Sequence, residues 1–135
     1  MLHKVGQAGL QDAITVDSAG TGNWHIDEAP DDRARRHGAG RGYDLEPLRA
    51  RQIELGDFAL FDHVIAMDQA NLRELRRLCP PAHVAKVRLL MDYVPGRVGE
   101  EVVDPYFGGA AGFETVLDQC EAACDCLIEA LTSPR

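Results

Sequence analysis

A chain of 135 residues and 14.8 kDa fits one domain with a packed core and leaves little room for a second; with 45% hydrophobic but only 6% aromatic residues, that core is expected to be aliphatic. The formal net charge of -8 argues against nucleic acid as a partner, because phosphate backbones select clustered Lys and Arg. No apolar run approaches the roughly 20 residues of a membrane span, and Met1–Gly6 lacks a signal-peptide pattern, so no membrane partner and a cytoplasmic location are expected.

Met1 to Gly9 reads as the tail of a helix. Asp12–Asp17 alternates polar and apolar residues with β-branched content and predicts a strand. Ser18–Asn23 follows as a loop. Pro30, Asp31 and Asp32 open a helix with acids in its first turn. Arg35, Arg36 and His37 suit its last turn, and Gly38 suits its stop. The glycine-rich stretch Gly38–Gly42 follows no strand and precedes no Lys-Ser/Thr pair, so it reads as a turn and not as a phosphate loop. Phe61–Met67 predicts a short buried strand. Asp68 then stands as an N-cap, with Leu72, Leu75 and Leu78 on the buried face of a helix that Pro80-Pro81 ends. Val87–Leu90 is a second apolar run of strand length. Phe113, Val116, Leu117, Cys120, Cys124, Leu127, Ile128 and Leu131 recur at three- and four-residue spacing and predict the last helix.

Strands alternating with helices predict an α/β domain with a parallel sheet. In such sheets ligands bind beyond the carboxyl ends of the strands, here the loops after Val16, Met67 and Leu90. Arg33, Arg35, Arg36, Arg41, Arg49 and Arg51 fall in one short stretch, which fits either a solvated basic face or a patch beside an anionic substrate. The four cysteines lack zinc spacing and no histidine pair accompanies them. No metal is expected, and free thiols in a reducing compartment are. Pro105 restricts Asp104 to extended backbone, which sets a carboxylate on a stiff loop flanked by aromatics. Such a group can serve as a general acid once partly desolvated; a plain turn aspartate is the other reading of the same dipeptide.

Asp104-Pro105-Tyr106-Phe107-Gly108, followed by Phe113-Glu114-Thr115-Val116, resembles the general-acid loop and final helix of the low-molecular-weight protein tyrosine phosphatases. Val16-Asp17-Ser18-Ala19-Gly20-Thr21 resembles the family's second strand and its loop. Pro30-Asp31 with Arg33, then Arg36-His37-Gly38, resembles the next helix and its stop. Ala50-Arg51-Gln52-Ile53 with Phe58, then Met67-Asp68 with Asn71-Leu72, resembles the middle of the family. The resemblance runs from about Ile14 to about Leu131, in order and at family spacing. It implies a three-layer α/β/α fold with a short parallel sheet, a single domain over residues 1–135, and hydrolysis of phosphotyrosine or other aryl phosphate monoesters without metal or cofactor. By the same resemblance Asp104 is the general acid, Tyr106 lines the cleft beside the substrate ring, Trp24 forms its other wall, and Ser18 braces the phosphate loop. The implied partner is a phosphotyrosine-containing protein; a tyrosine kinase is a partner the resemblance leaves open. A monomer is expected for the intact enzyme.

The family's nucleophile belongs to a Cys-x5-Arg loop, and no cysteine here fits it. The sixth residue after Cys79 is Ala85, after Cys120 it is Cys126, after Cys124 it is Ala130, and after Cys126 it is Thr132. The family's central first strand and that loop are therefore expected ahead of Met1, which reads as an internal methionine. The chain as written is expected to be inactive, and the strand at Asp12–Asp17 to lack its neighbour, which favours instability or self-association. Leu48 stands where the family often has a bracing histidine, and Phe107 where a second tyrosine is common. Two other readings are an arsenate reductase on the same fold, with Cys79 as a redox candidate, and a non-catalytic module that holds phosphopeptides with Trp24, Tyr106 and the arginines.

Overall fold

The structure, a computed structural model, describes residues 1–21, 32–43, 51–102 and 109–132. Five α-helices occur among them: α1 (Leu2–Gln7), α2 (Asp32–Gly40), α3 (Leu55–Leu60), α4 (Gln69–Leu78) and α5 (Gly109–Thr132). Two strands, β1 (Val64–Ala66) and β2 (Val87–Leu89), pair in parallel with Val64 opposite Val87 and Ala66 opposite Leu89. A parallel pair needs a crossover, and α4 with the 3-10 helix Pro81–Lys86 provides it.

The layers follow from alternation along β1. Val64 and Ala66 join Leu72 and Leu75 of α4, with Phe58, Val87 and Leu89, in one buried cluster. Ile65 points the other way and packs on Leu90, Met91, Ala123 and Leu127, the last two from α5. A sheet lined on both faces by helices is the expected α/β/α arrangement. The core is aliphatic, with Phe58 and Phe113 as its buried aromatics among the described residues.

Local chemistry sets the ends of α4. The Asp68 carboxylate accepts the Asn71 backbone N–H at 2.7 Å, satisfying one of the first-turn donors. Pro80 and Pro81 follow Cys79, where the helix has already ended. These bounds agree with the sequence.

Three expectations need correction. Asp12–Asp17 is not a strand: the N–H groups of Ala13 and Ile14 both donate to Leu10 O at 2.9 Å, closing a turn, and the chain onward to Ala19 is irregular. A strand needs a ladder partner. Among the described residues this segment has only the isolated parallel bridge of Gly20 with Gln52. The stop of α2 is Gly42, not Gly38. Gly38 is buried inside the helix, whereas Gly42 has φ 87. The Tyr43 N–H reaches Gly38 O at 2.9 Å and the Gly42 N–H reaches Ala39 O at 3.0 Å, the paired bonds of a glycine-terminated helix. Finally, the strand expected over Phe61–Met67 is confined to Val64–Ala66.

Helix α3 carries no apolar period long enough to announce it. Its signal is Asp57, whose side chain accepts the Glu54 N–H at 2.8 Å while its own N–H donates to Glu54 O at 3.0 Å.

Candidate active site

The carboxyl end of β1 is where the candidate loop is tied down. The Val102 N–H donates to Met67 O at 2.8 Å. One residue earlier, Glu101 Oε2 accepts the Gln69 backbone N–H at 3.0 Å. The Gln69 side chain in turn donates to Gly99 O at 3.1 Å. Gly99 N–H is held at 2.8 Å by the Asp92 carboxylate, which also accepts from Leu89 N–H at 3.2 Å. The chain thus enters residue 103 pinned to the ends of both strands, where α/β sheets present their ligands. Asp104 and Tyr106 lie on the segment beyond it, and Trp24 beyond Thr21; all three fall outside the described residues, as do Leu48 and Phe107.

The loop after Asp17 is held by a clamp centred on Arg51. Arg51 Nε donates to Asp17 Oδ2 at 3.1 Å, and its two terminal nitrogens grip Asp57 at 2.9 and 3.2 Å. The planar fork matches a carboxylate in two-point contact. Arg51 also contributes its backbone, since Gly20 N–H donates to Arg51 O at 2.7 Å and Ile53 N–H to Gly20 O at 2.9 Å. The hydrogen bond from Arg51, helped by the Glu54 N–H, holds the Asp57 carboxyl below its ordinary range. Asp17 further accepts Ser18 N–H at 2.8 Å, which leaves Ser18 at the surface of the loop. This clamp fixes the candidate phosphate-side loop to the start of α3.

The arginine-rich stretch resolves residue by residue. Arg51 is in the clamp. Arg41 lies against α5, where it donates to Glu114 at 3.1 Å and pairs with Asp118 at 2.9 Å and Glu121 at 3.0 Å. His37 Nδ1 stands 2.8 Å from Glu114 Oε2, and its ring stacks on Phe113 at 5.2 Å between centroids. Tyr43 donates to Glu121 at 2.7 Å. Arg41 and Arg51 join elements instead of facing an anion, so neither the solvated-face nor the substrate-patch reading describes these two. Arg36 is exposed; Arg49 and the side chain of Arg33 fall outside the described set.

Cys79 and Cys120 lack the setting of a nucleophile, which needs a lowered pKa. Cys79 is 8% exposed and its thiol contacts Pro80 O at 3.4 Å; burial pushes its pKa up. Burial does the same to Cys120. Cys124 is buried on the same helix. Among the described residues no group of three or more His, Cys, Asp or Glu side chains could hold a metal ion, and no helix is long and apolar enough to cross a membrane.

Comparison with known proteins places these features. The model of the low molecular weight phosphotyrosine protein phosphatase family matches residues 1–135. A low molecular weight protein-tyrosine-phosphatase of Streptomyces coelicolor is 44% identical over 131 residues, which cover 95% of this chain and 79% of the relative. The Homo sapiens low molecular weight phosphotyrosine protein phosphatase is 38% identical over 116 residues, covering 84% and 72%. The crystal structure of a protein tyrosine phosphatase from Entamoeba histolytica superposes with a TM-score of 0.88 at 36% identity, covering 94% of this chain and 81% of that one. A Drosophila arginine phosphatase superposes equally well, with a TM-score of 0.88 at 31% identity, covering 99% and 87%.

Proposed function

The chain belongs to the low molecular weight phosphotyrosine protein phosphatase family, and from that premise we propose that Asp104 is the general acid of its aryl phosphate hydrolysis, with Tyr106 and Trp24 as the walls of the substrate cleft. Membership makes it a protein tyrosine phosphatase, a hydrolase of phosphoric monoesters whose substrates are phosphotyrosine-containing proteins. The assignment of Asp104 rests on the Asp104-Pro105-Tyr106 motif and gains support from one observation. The residue two positions before Asp104 is hydrogen-bonded to the carboxyl end of β1, through Val102 N–H and Met67 O at 2.8 Å.

In this reaction a cysteine thiolate attacks phosphorus, and the bond to the phenolic oxygen breaks. Asp104 gives its proton to that departing oxygen, and water then hydrolyses the phosphocysteine. Backbone N–H groups and a bidentate arginine stabilise the transferring phosphoryl oxygens. Neither thiolate nor arginine comes from the Cys79, Cys120, Cys124 or Cys126 neighbourhoods, because no arginine stands six residues after any of them. The 135 residues by themselves are therefore inactive in this reading. Burial raises the Cys79 pKa, which weighs against Cys79 as the further redox cysteine that some arsenate reductases of this fold need.

Two aromatic walls favour a flat phenyl ester over an alkyl phosphate, since ring stacking on both faces is lost with the latter. Localisation to the cytoplasm and a monomeric intact enzyme belong to the same proposal. A side-by-side assay of phosphotyrosine and phosphoserine peptides tests the specificity. Preference for phosphoserine would overturn the role of Trp24 and Tyr106, while leaving Asp104 standing.

A further inference from the structure

A groove of about 410 Å³ lies between the last turn of α4 and β2, lined by Arg76, Arg88 and Asp92 together with Val84 and Val98. Its two arginines stand outside the pairs that hold most other described cations. Lys4, Arg41, Arg51, Arg77 and Arg97 all sit on carboxylates. Arg76 and Arg88 are exposed, and neither donates a hydrogen bond or enters an ion pair among the described residues. The one carboxylate in the lining is already used: Asp92 accepts Leu89 N–H at 3.2 Å and Gly99 N–H at 2.8 Å. Two guanidinium groups are thus left facing a groove on a chain whose net charge is -8.

The same lining carries apolar surface. Val84 is 43% exposed and Val98 is 75% exposed, two of the five exposed large hydrophobic side chains among the described residues. Beneath them β2 pairs with β1 on one side and with no strand on the other among the described residues. An extended chain laid there could add main-chain hydrogen bonds along β2, set carboxylates on Arg76 and Arg88 and cover the two valines.

We propose that this groove docks an acidic, extended segment of a partner protein, with a branched aliphatic residue among its carboxylates. Charge decides between this and other occupants. A nucleic acid would meet the repulsion of the whole chain with only two cations to offset it. A small anion has no use for the exposed valines, and the site is open, so two solvated guanidinium groups alone hold it weakly. At physiological salt, fields die away over about 8 Å, so a short acidic peptide responds to the local pair and not to the distant acids. The inference does not depend on the assignment of Asp104.

The test is fluorescence anisotropy of the 135-residue chain with a labelled decapeptide alternating glutamate and valine. Saturable binding is expected, with weakening as NaCl rises and no binding of the lysine–valine analogue. Arg76→Gln with Arg88→Gln should reduce affinity by about tenfold or more, the worth of two charge-assisted contacts, while Arg36→Gln leaves it unchanged. Both arginines are exposed, so an unchanged circular dichroism melt verifies the fold of the double variant. Absence of binding at millimolar peptide, equal binding by the double variant, or displacement by inorganic phosphate where chloride has no effect would each overturn the proposal. So would a dimer that the double variant abolishes, since a second copy would then be the occupant.

Discussion

Arg51 shows how a single side chain can order two distant stretches. Its fork holds Asp57, whose side chain is 12% exposed, and its Nε holds the half-exposed Asp17. Removing it strands a nearly buried carboxylate. Arg51→Ala should therefore destabilise the chain by about 1–3 kcal/mol, the range for losing charged hydrogen bonds at a partly buried site. Arg51→Lys should recover only part of that, because an ammonium cannot grip two oxygens in plane. Urea unfolding at neutral pH measures both. The acid side of the same chemistry gives a pH dependence. Asp57 is lowered chiefly by Arg51, Glu114 chiefly by His37 and then Arg41, and Glu121 chiefly by Tyr43 and then Arg41. A carboxyl lowered in the folded state binds fewer protons there than in the unfolded state. Its contribution is fully present above the ordinary carboxylate range, about 4, and is lost as pH falls through the folded value. Unfolding free energy measured from pH 6 to pH 3 should fall steadily. Glu114→Gln with Glu121→Gln should flatten that fall, and an unchanged slope would show that these pairs do not matter.

At the level of elements, α2 and α5 meet along a polar seam of His37, Arg41 and Tyr43 against Glu114, Asp118 and Glu121. None of this could be read from spacing. The partners are more than seventy residues apart in sequence, and Arg41 looked like one member of a basic run with a shared role. The bounds of α4 were legible because their causes are local: an N-cap aspartate, three leucines at helical spacing and two prolines. The end of α2 was half legible. Glycine marked the neighbourhood, but which of Gly38, Gly40 and Gly42 takes a positive φ depends on where the chain must turn to bring Arg41 onto α5. That reading yields an opposed pair of outcomes. Gly42→Ala, at φ 87 with open space around it, should cost about 1–2 kcal/mol of backbone strain. Gly40→Ala, inside the helix with equally open space, should stabilise by about 0.5–1 kcal/mol. Thermal midpoints of the two variants would check the assignment, and a gain for both would contradict it.

For the whole molecule, the α/β/α layering followed from alternating strands and helices, and the family resemblance holds from end to end. The segment Asp12–Asp17 has strand chemistry, yet a strand is a relation between chains of atoms. With only the Gly20–Gln52 bridge as its ladder, the pattern alone could not make one. The edge of β1 without a strand neighbour among the described residues leads us to expect concentration-dependent association of the 135-residue chain. Sedimentation equilibrium would measure it, and a sharp cooperative melt of a dilute monomer would count against it. Asp104, Tyr106 and Trp24 rest on motif and order, and the measurement that bears on them most directly is leaving-group dependence. A chain extended ahead of Met1 by a strand and a Cys-x5-Arg loop of the pattern the resemblance implies would carry a nucleophile. In that chain, Asp104→Asn should slow phenyl phosphate hydrolysis by about a hundredfold or more, the usual worth of a general acid, and slow p-nitrophenyl phosphate far less. The same loss on both esters would remove Asp104 from the role of acid.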